Sequence, residues 1–276
     1  MTSLAQARVA PSWDAITINS NAPSTVCEFV EAGWKFNYFL HALGRKNLFV
    51  FFPSALVRGK RHVPSFHRWS WAENIESADV LCVSDPTLRL NNEFLGAWFQ
   101  GNKDDWVLLR SLAHILALQQ KFGYEKVVFC GSSLGGFVAL QAGALAPSVG
   151  FNPEACVVFS ENPQTCLPKY MWTTHMDRLA QVCYGTKSIA EIDKKYLIRL
   201  DVVELMRSLN HIPNGLVVIK ESDVHHYEEH VEYLRNSVLL DSSKNLRVEV
   251  IPARVDSTGH TPLTLEEMSA RVETLL

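Results

Sequence analysis

Val127-Val128-Phe129-Cys130-Gly131-Ser132-Ser133-Leu134-Gly135-Gly136-Phe137-Val138-Ala139-Leu140 is the stretch whose reading decides the fold. A short apolar run rich in β-branched residues enters a Gly-x-Ser-x-Gly turn, and an Ala/Leu-rich helical pattern follows at once, so the stretch reads as strand, tight turn and helix. Such a turn forces its central residue into a strained backbone conformation, and glycines two positions to either side remove the Cβ atoms that would clash. Ser133 is then expected at the helix N-terminus, where the positive end of the helix and the N–H of Leu134 face the place where an oxyanion would form. A bare Gly-x-Ser-x-Gly recurs by chance; the strand before it and the helix after it carry the weight.

Outward from this elbow the chain alternates strands with helices. Asn47 to Phe52 is apolar on both faces, as a central parallel strand covered by helices must be. Ala78 to Ser84, Ala155 to Phe159, Gly215 to Lys220 and Leu246 to Ile251 read as further strands, and Lys126 to Cys130 leads into the elbow. Outer strands are expected at Ala15 to Asn19 and Lys35 to His41, with a turn at Asn21 to Ser24. Helices are expected at Trp71 to Ser77, Asp104 to Phe122, Ser133 to Ala146 (ended by Pro147), His226 to Leu240 and Thr264 to Leu276. The segment Ser160 to Ile212 holds no convincing strand and has helical character near Met176 to Cys183 and Asp201 to Leu209, which suits a helical cap inserted over the active-site face. The expectation is one α/β domain spanning residues 1–276, with a doubly wound, mostly parallel sheet.

Composition narrows the partners. A formal net charge of -3 over 276 residues, with the signs interspersed, leaves no basic stripe for nucleic acid and no polybasic membrane patch. No apolar run approaches the length of a membrane span, and residues 1–14 lack the pattern of a secretory signal. The six cysteines, Cys27, Cys82, Cys130, Cys156, Cys166 and Cys183, are scattered without a C-x-x-C pair and read as free core thiols, so a cytoplasmic location is expected.

A serine hydroxyl is a poor nucleophile until a base takes its proton, so Ser133 needs a histidine, and the histidine needs an acid to orient it. When the elbow precedes both, the acid belongs in the turn after a later strand and the histidine in the turn after the last one. Asp223 follows Gly215 to Lys220, with Glu221, Glu228 and Glu229 as rivals, and His260 follows Leu246 to Ile251. Both turns lie at carboxyl ends of parallel strands, on the same edge of the sheet as the elbow. For the oxyanion hole, one donor is the Leu134 N–H and the second comes from Ser54 or Ala55 after the strand Asn47 to Phe52.

With these residues in place the chain resembles the α/β-hydrolase superfamily over roughly residues 36–276: an elbow at Gly131 to Phe137, acid and base in the family's order, and Phe52-Pro53-Ser54-Ala55 at its oxyanion loop. Arg68-Trp69-Ser70-Trp71, Ser84-Asp85-Pro86-Thr87 and Asn162-Pro163-Gln164-Thr165 are similar to segments of bacterial hydrolase-like proteins associated with capsular polysaccharide or glycan biosynthesis, some linked to O-acetylation of sugars. The resemblance implies acyl-ester hydrolysis or acyl transfer through an acyl-enzyme on Ser133, with a small-molecule or glycan ester as substrate and no cofactor. The other reading is a non-catalytic binding or scaffold protein that keeps the elbow.

Weaker signals remain. His226-Tyr227-Glu228-Glu229-His230 matches H-x-x-E-H, in which two histidines one helical turn apart can bind zinc, but a third ligand would have to come from elsewhere, and the bland reading is a polar helix start with no metal. Trp69, Trp98 and Trp172, with Trp71, Trp106 and Tyr170, could stack on a sugar or enclose an acyl chain, although loop packing is the default. Arg58, Lys60, Arg61, His62, His67 and Arg68 form a basic cluster that reads as a solvated loop, or as a contact for an anionic group.

Overall fold

The computed structural model describes residues 8–57, 59, 62–237, 245–253 and 259–276. One nine-stranded sheet organises them: β1 (Arg8–Ala10), β2 (Ser24–Glu31), β3 (Trp34–His41), β4 (Asn47–Phe51), β5 (Ala78–Ser84), β6 (Lys126–Ser132), β7 (Cys156–Glu161), β8 (Gly215–Lys220) and β9 (Leu246–Ile251). They lie in the order β1-β2-β3-β5-β4-β6-β7-β8-β9. From β5 to β9 every neighbouring pair is parallel, while β3 runs antiparallel to both β2 and β5. The central strands are buried along nearly their whole length, which is why their sequences are apolar without alternation.

The outer edge differs from the sequence expectation. Ala15 to Asn19 is not a strand; it continues from a one-turn 3-10 helix, Trp13–Ala15. The strand is Ser24–Glu31 instead, paired with β3 from Ser24 opposite His41 to Glu31 opposite Trp34. Ala32 and Gly33, both at positive φ (48° and 81°), close this hairpin in the way a right-twisted pair of strands requires. An alanine in the first turn position is an uncommon signal. β1 adds a short parallel edge that the sequence reading did not foresee.

Helix α1 (Val107–Phe122) stops at Gly123 in the left-handed conformation (φ 70°), as its spacing predicts. Helix α2 (Leu134–Val149) runs three residues past Ala146, the expected last residue, and ends at Gly150, φ 111°. Proline lacks the N–H that would reach the Gly143 carbonyl, and beyond it the helix closes through the Gly150 N–H to the Pro147 carbonyl and the Phe151 N–H to the Ala146 carbonyl, both at 3.1 Å. Trp71 to Ser77 forms no α-helix, only a 3-10 turn at Trp69–Asn74. The helix expected from His226 begins as a π-turn (His226–Val231) and tightens at Glu232–Arg235; residues 238–240 of that expectation fall outside the described residues.

The switch of direction in the strand order decides where chemistry can happen. The chain leaves β4 towards β5 on one side and returns on the other as β6, so the loops after β4 and β6 diverge over adjacent strand ends and leave a crevice between them. The expected oxyanion loop follows β4 and the elbow follows β6. Between β7 and β8 the chain contributes helices (Thr173–Leu179, Leu197–Leu200, Val202–Leu209) and one isolated bridge, Cys166 to Asp201, with no strand among its described residues.

Candidate active site

Ser133 sits between β6 and α2 with φ 55° and ψ -119°, a region that costs a non-glycine residue about 1–3 kcal/mol. The two glycines make that conformation possible: a Cβ at Gly131 would lie 2.0 Å from the Gly135 carbonyl oxygen, and one at Gly135 would lie 2.6 Å from the Phe52 carbonyl oxygen. The Ser133 N–H donates to the Glu161 carbonyl at 2.8 Å, so it is not available to an oxyanion. The Leu134 N–H belongs to the first turn of α2 and has no partner within the helix. Opposite it, the Ser54 hydroxyl donates to the Ser132 carbonyl at 2.9 Å, which holds the Ser54–Ala55 backbone against the elbow.

The Ser133 hydroxyl is paired, but not with a histidine. Gln164, fully buried in the loop after β7, donates from Nε2 to Ser133 Oγ at 3.0 Å and contacts His226 Nε2 from the same nitrogen at 2.8 Å. Its Oε1 accepts from the Trp98 indole N–H at 3.3 Å, which settles which end of the amide faces the serine. Donation from Gln164 makes His226 Nε2 an acceptor. His226 is therefore protonated at Nδ1, from which it donates to Asp223 Oδ1 at 3.0 Å. Burial lowers the pKa of His226, against the pull of Asp223 upward, which agrees with a neutral ring.

Asp223 serves a second imidazole. Its other oxygen accepts from His260 Nδ1 at 2.5 Å, and the His260 ring stacks on His226 with centroids 4.4 Å apart and planes 22° from parallel. His226 is buried, while the His260 side chain is 44% exposed, so His260 is the outer member of the pair. Burial would raise the Asp223 pKa, but the two histidine hydrogen bonds outweigh it and hold the carboxyl well below the usual carboxylate range. Ser133, Gln164, His226, Asp223 and His260 thus form one connected run. No direct hydrogen bond joins Ser133 to His260.

Among the rivals for the acid, Glu221 accepts the Ala253 N–H and is exposed, and Glu228 and Glu229 are exposed on the following turn. Sequence reasoning singled out Asp223 and His260 but missed Gln164, and it saw His226 only as part of a metal motif. A signal was present: His226 lies three residues after Asp223, one turn on, where an acid and a histidine meet. Of the metal motif, His226 and His230 part company. His230 Nδ1 accepts the Thr165 N–H at 3.3 Å, and its ring is buried with its pKa pushed down to about 3. Asp223, His226 and His260 instead offer three donor atoms within 4.8 Å of one another, a set that could hold a divalent cation only by displacing the protons that now join them.

The tryptophans separate into two places. Trp98 is buried, and its indole faces Gln164 rather than an open cleft, which removes it as a surface for a substrate. It is aimed by a turn in which both Trp98 and Phe99 have positive φ (47° and 53°), held by Asp85, whose carboxylate accepts the Phe99 N–H at 2.9 Å. Trp172, 44% exposed, packs on Tyr170, which itself lies against Trp98 and His226. Trp69 is remote from that group and meets Phe39. Of the basic cluster, Arg58, Lys60 and Arg61 lie outside the described residues, and Arg68 is not solvated: it is buried in an ion pair with Glu161 at 2.7 Å.

No family model matches the chain, and no curated protein matches it in sequence. Solved structures do match in fold. The capsule O-acetyltransferase of Neisseria meningitidis serogroup A superposes with a TM-score of 0.61 at 19% identity, over 90% of this chain and 92% of that one. A histidine-to-alanine mutant of it in complex with CoA gives 0.58 at 20%, over 84% and 88%. An S-formylglutathione hydrolase from Agrobacterium tumefaciens gives 0.57 at 14%, over 89% and 92%. With its mostly parallel sheet and helices, this chain has the α/β-hydrolase fold.

Proposed function

We propose that this chain is a serine-dependent acyl-ester hydrolase or acyltransferase that works through an acyl-enzyme on Ser133, with an acylated glycan as its substrate class. The observation that carries the reading is Ser133 in a strained elbow at the head of α2, beside the loop after β4, with an imidazole on the same strand-end edge oriented by a carboxylate. The fold neighbours, an acetyltransferase and a hydrolase among them, support it.

In this reading His260 is the base. The Nε2 lone pair of His226 already faces the Gln164 amide, whereas His260 is anchored at Nδ1 and stands on the solvent side. His260 Nε2 takes the hydroxyl proton as Ser133 Oγ bonds to the acyl carbon. The oxyanion is met by the Leu134 N–H and by an N–H of Ser54 or Ala55. His260 then returns the proton to the departing alcohol or thiol, and the acyl-enzyme passes its acyl group to water or to a sugar hydroxyl after His260 has removed that acceptor's proton. Asp223 keeps the imidazole in the Nδ1–H tautomer and stabilises its cation. Ser133 keeps the bond from Gln164 on its oxygen as its own O–H turns to His260.

Residues 160–212 act as the cap in this account, and six buried free cysteines suit a reducing, cytoplasmic setting. Among the described residues no helix is long and apolar enough to cross a membrane. Because one neighbour is solved with CoA, a CoA thioester belongs in the donor panel beside simple esters.

Labelling with a fluorophosphonate tests the proposal. Wild type is expected to label at Ser133, Ser133→Ala not at all, and His260→Ala far more slowly than His226→Ala. Labelling elsewhere, or none in a folded wild type, refutes the enzyme and favours the scaffold reading. A slower rate for His226→Ala than for His260→Ala transfers the base to His226.

A further inference from the structure

A groove of about 540 Å³ opens beside the elements that carry the proposed base and oxyanion loop. One wall is the loop from Pro64 to Trp71, with His62; the other is Pro262 and Leu263. Ser133 is not in its lining, so the groove flanks the reacting centre rather than enclosing it. It is nevertheless tied to the machinery at both walls. His67 Nε2 lies 3.4 Å from the Ser54 hydroxyl, which in turn holds the Ser132 carbonyl. Leu263 follows His260 by three residues, and its N–H donates to Glu161 Oε1.

Glu161 makes the groove a fixed feature. Its Oε2 pairs with Arg68 of the first wall, its Oε1 holds Leu263 of the second, and its backbone carbonyl takes the Ser133 N–H. One buried carboxylate therefore sets the distance between both walls and the elbow. The same pairing neutralises Arg68, whose guanidinium also lies 4.3 Å over the Trp71 ring. Among the described residues, the guanidinium in the groove wall thus carries no unpaired charge, and the rest of the lining includes the half-buried indoles of Trp69 and Trp71 beside the hydrogen-bonding side chains of His62, Ser65, His67 and Ser70. Apolar ring faces beside a few hydroxyl and imidazole groups are the chemistry that receives a neutral, polyhydroxylated ring. The volume lies within the range of small-ligand sites and exceeds what water or an acetyl group needs.

Proton traffic assigns which half of the substrate goes there. The base that takes the serine proton must give it to the leaving alcohol, and must later take one from an acceptor alcohol, so the alcohol half lies on the side of His260 in both steps. We propose that this groove is the alcohol subsite and holds a neutral hexopyranoside whose hydroxyl loses or gains the acyl group. The assignment rests on the serine acyl-transfer reading and adds the place and charge class of the alcohol.

Two esters with the same acyl group separate the assignment from that reading. Vinyl acetate has an alcohol half too small to use the groove, whereas methyl O-acetyl-hexopyranosides must place a ring in it. Wild type is expected to turn over both and to prefer the neutral hexosides to O-acetyl hexuronates. Ser70→Trp puts an indole into the groove from an exposed position, and Trp71→Ala removes an indole from its first wall. Each is expected to lower kcat/KM for the hexoside at least tenfold more than for vinyl acetate, chiefly through KM. Saturation-transfer NMR of methyl hexopyranosides with Ser133→Ala is expected to show binding that Ser70→Trp abolishes in the same background. Equal losses on both esters, a preference for hexuronates, or turnover of vinyl acetate without any O-acetyl hexoside would each overturn the groove assignment. Failure of wild type on every ester, with no label on Ser133, would overturn the parent reading instead.

Discussion

Gln164→Leu removes the amide that joins Ser133, His226 and Trp98 while keeping a side chain of similar size. Two buried groups then lose their only protein partner at that end: the Trp98 indole N–H and His226 Nε2. An unsatisfied buried donor or acceptor costs about 1–3 kcal/mol, so the pair costs about 2–6 kcal/mol. The apolar surface that leucine buries returns about 1–2 kcal/mol. A net loss of about 1–4 kcal/mol corresponds to a fall in Tm of roughly 2–7 °C for a chain of this size. Calorimetry reads the fall, and turnover of vinyl acetate reads the chemistry, where kcat should drop roughly tenfold to a hundredfold with KM little changed because Oγ is no longer aimed. Gln164→Glu, nearly isosteric, keeps an acceptor for Trp98 but sets a buried carboxylate against the His226 Nε2 lone pair and turns the donor to Ser133 into an acceptor, so it should recover neither the Tm nor the kcat. A Gln164→Leu protein with the wild-type Tm and full kcat would refute the reasoning, for the three hydrogen bonds would then do nothing in solution.

Other perturbations follow from the same structure. Arg68→Met leaves Glu161 as an uncompensated buried charge and should cost about 3–5 kcal/mol by urea denaturation, much of it recovered in the double variant Arg68→Met/Glu161→Gln. Gly131→Ala drives a Cβ into the Gly135 backbone and should cost about 3 kcal/mol or more and abolish fluorophosphonate labelling of Ser133, since the head of α2 must move. His230 is buried and neutral, with its folded pKa at about 3 against about 6.5 unfolded. The unfolded chain therefore takes the proton first as pH falls below about 6.5, and stability is lost on acidification. By pH 5 this one group removes about 2 kcal/mol, and thermal melts of His230→Asn should lose less between pH 7 and pH 5 than wild type does.

Legibility differed from element to element for physical reasons. The elbow was readable because its demands are local: a strained φ, two absent Cβ atoms and a helix that begins at once all leave their mark on neighbouring residues. The central strands were readable because burial on both faces demands unbroken apolar runs. The strand at Lys35 to His41 was readable, but its partner Ser24–Glu31 was missed because its mixed burial blurs the period-two pattern and the turn between them uses alanine beside glycine. The stop at Pro147 was misplaced because the helix is capped by Gly150, whose positive φ turns the chain so that the Phe151 N–H reaches the Ala146 carbonyl.

Order along the chain led to Asp223 and His260, since turns after successive parallel strands share an edge. It could not reveal Gln164, whose role depends on Trp98, Ser133 and His226 meeting from three separate loops, or that Asp223 would bind two imidazoles at once. Residue types and spacing determined which strand ends carry the candidate site, because those constraints act through a few adjacent peptide units. Only the tertiary structure decided what each side chain donates to, because a hydrogen bond between loops depends on distances that no sequence interval encodes.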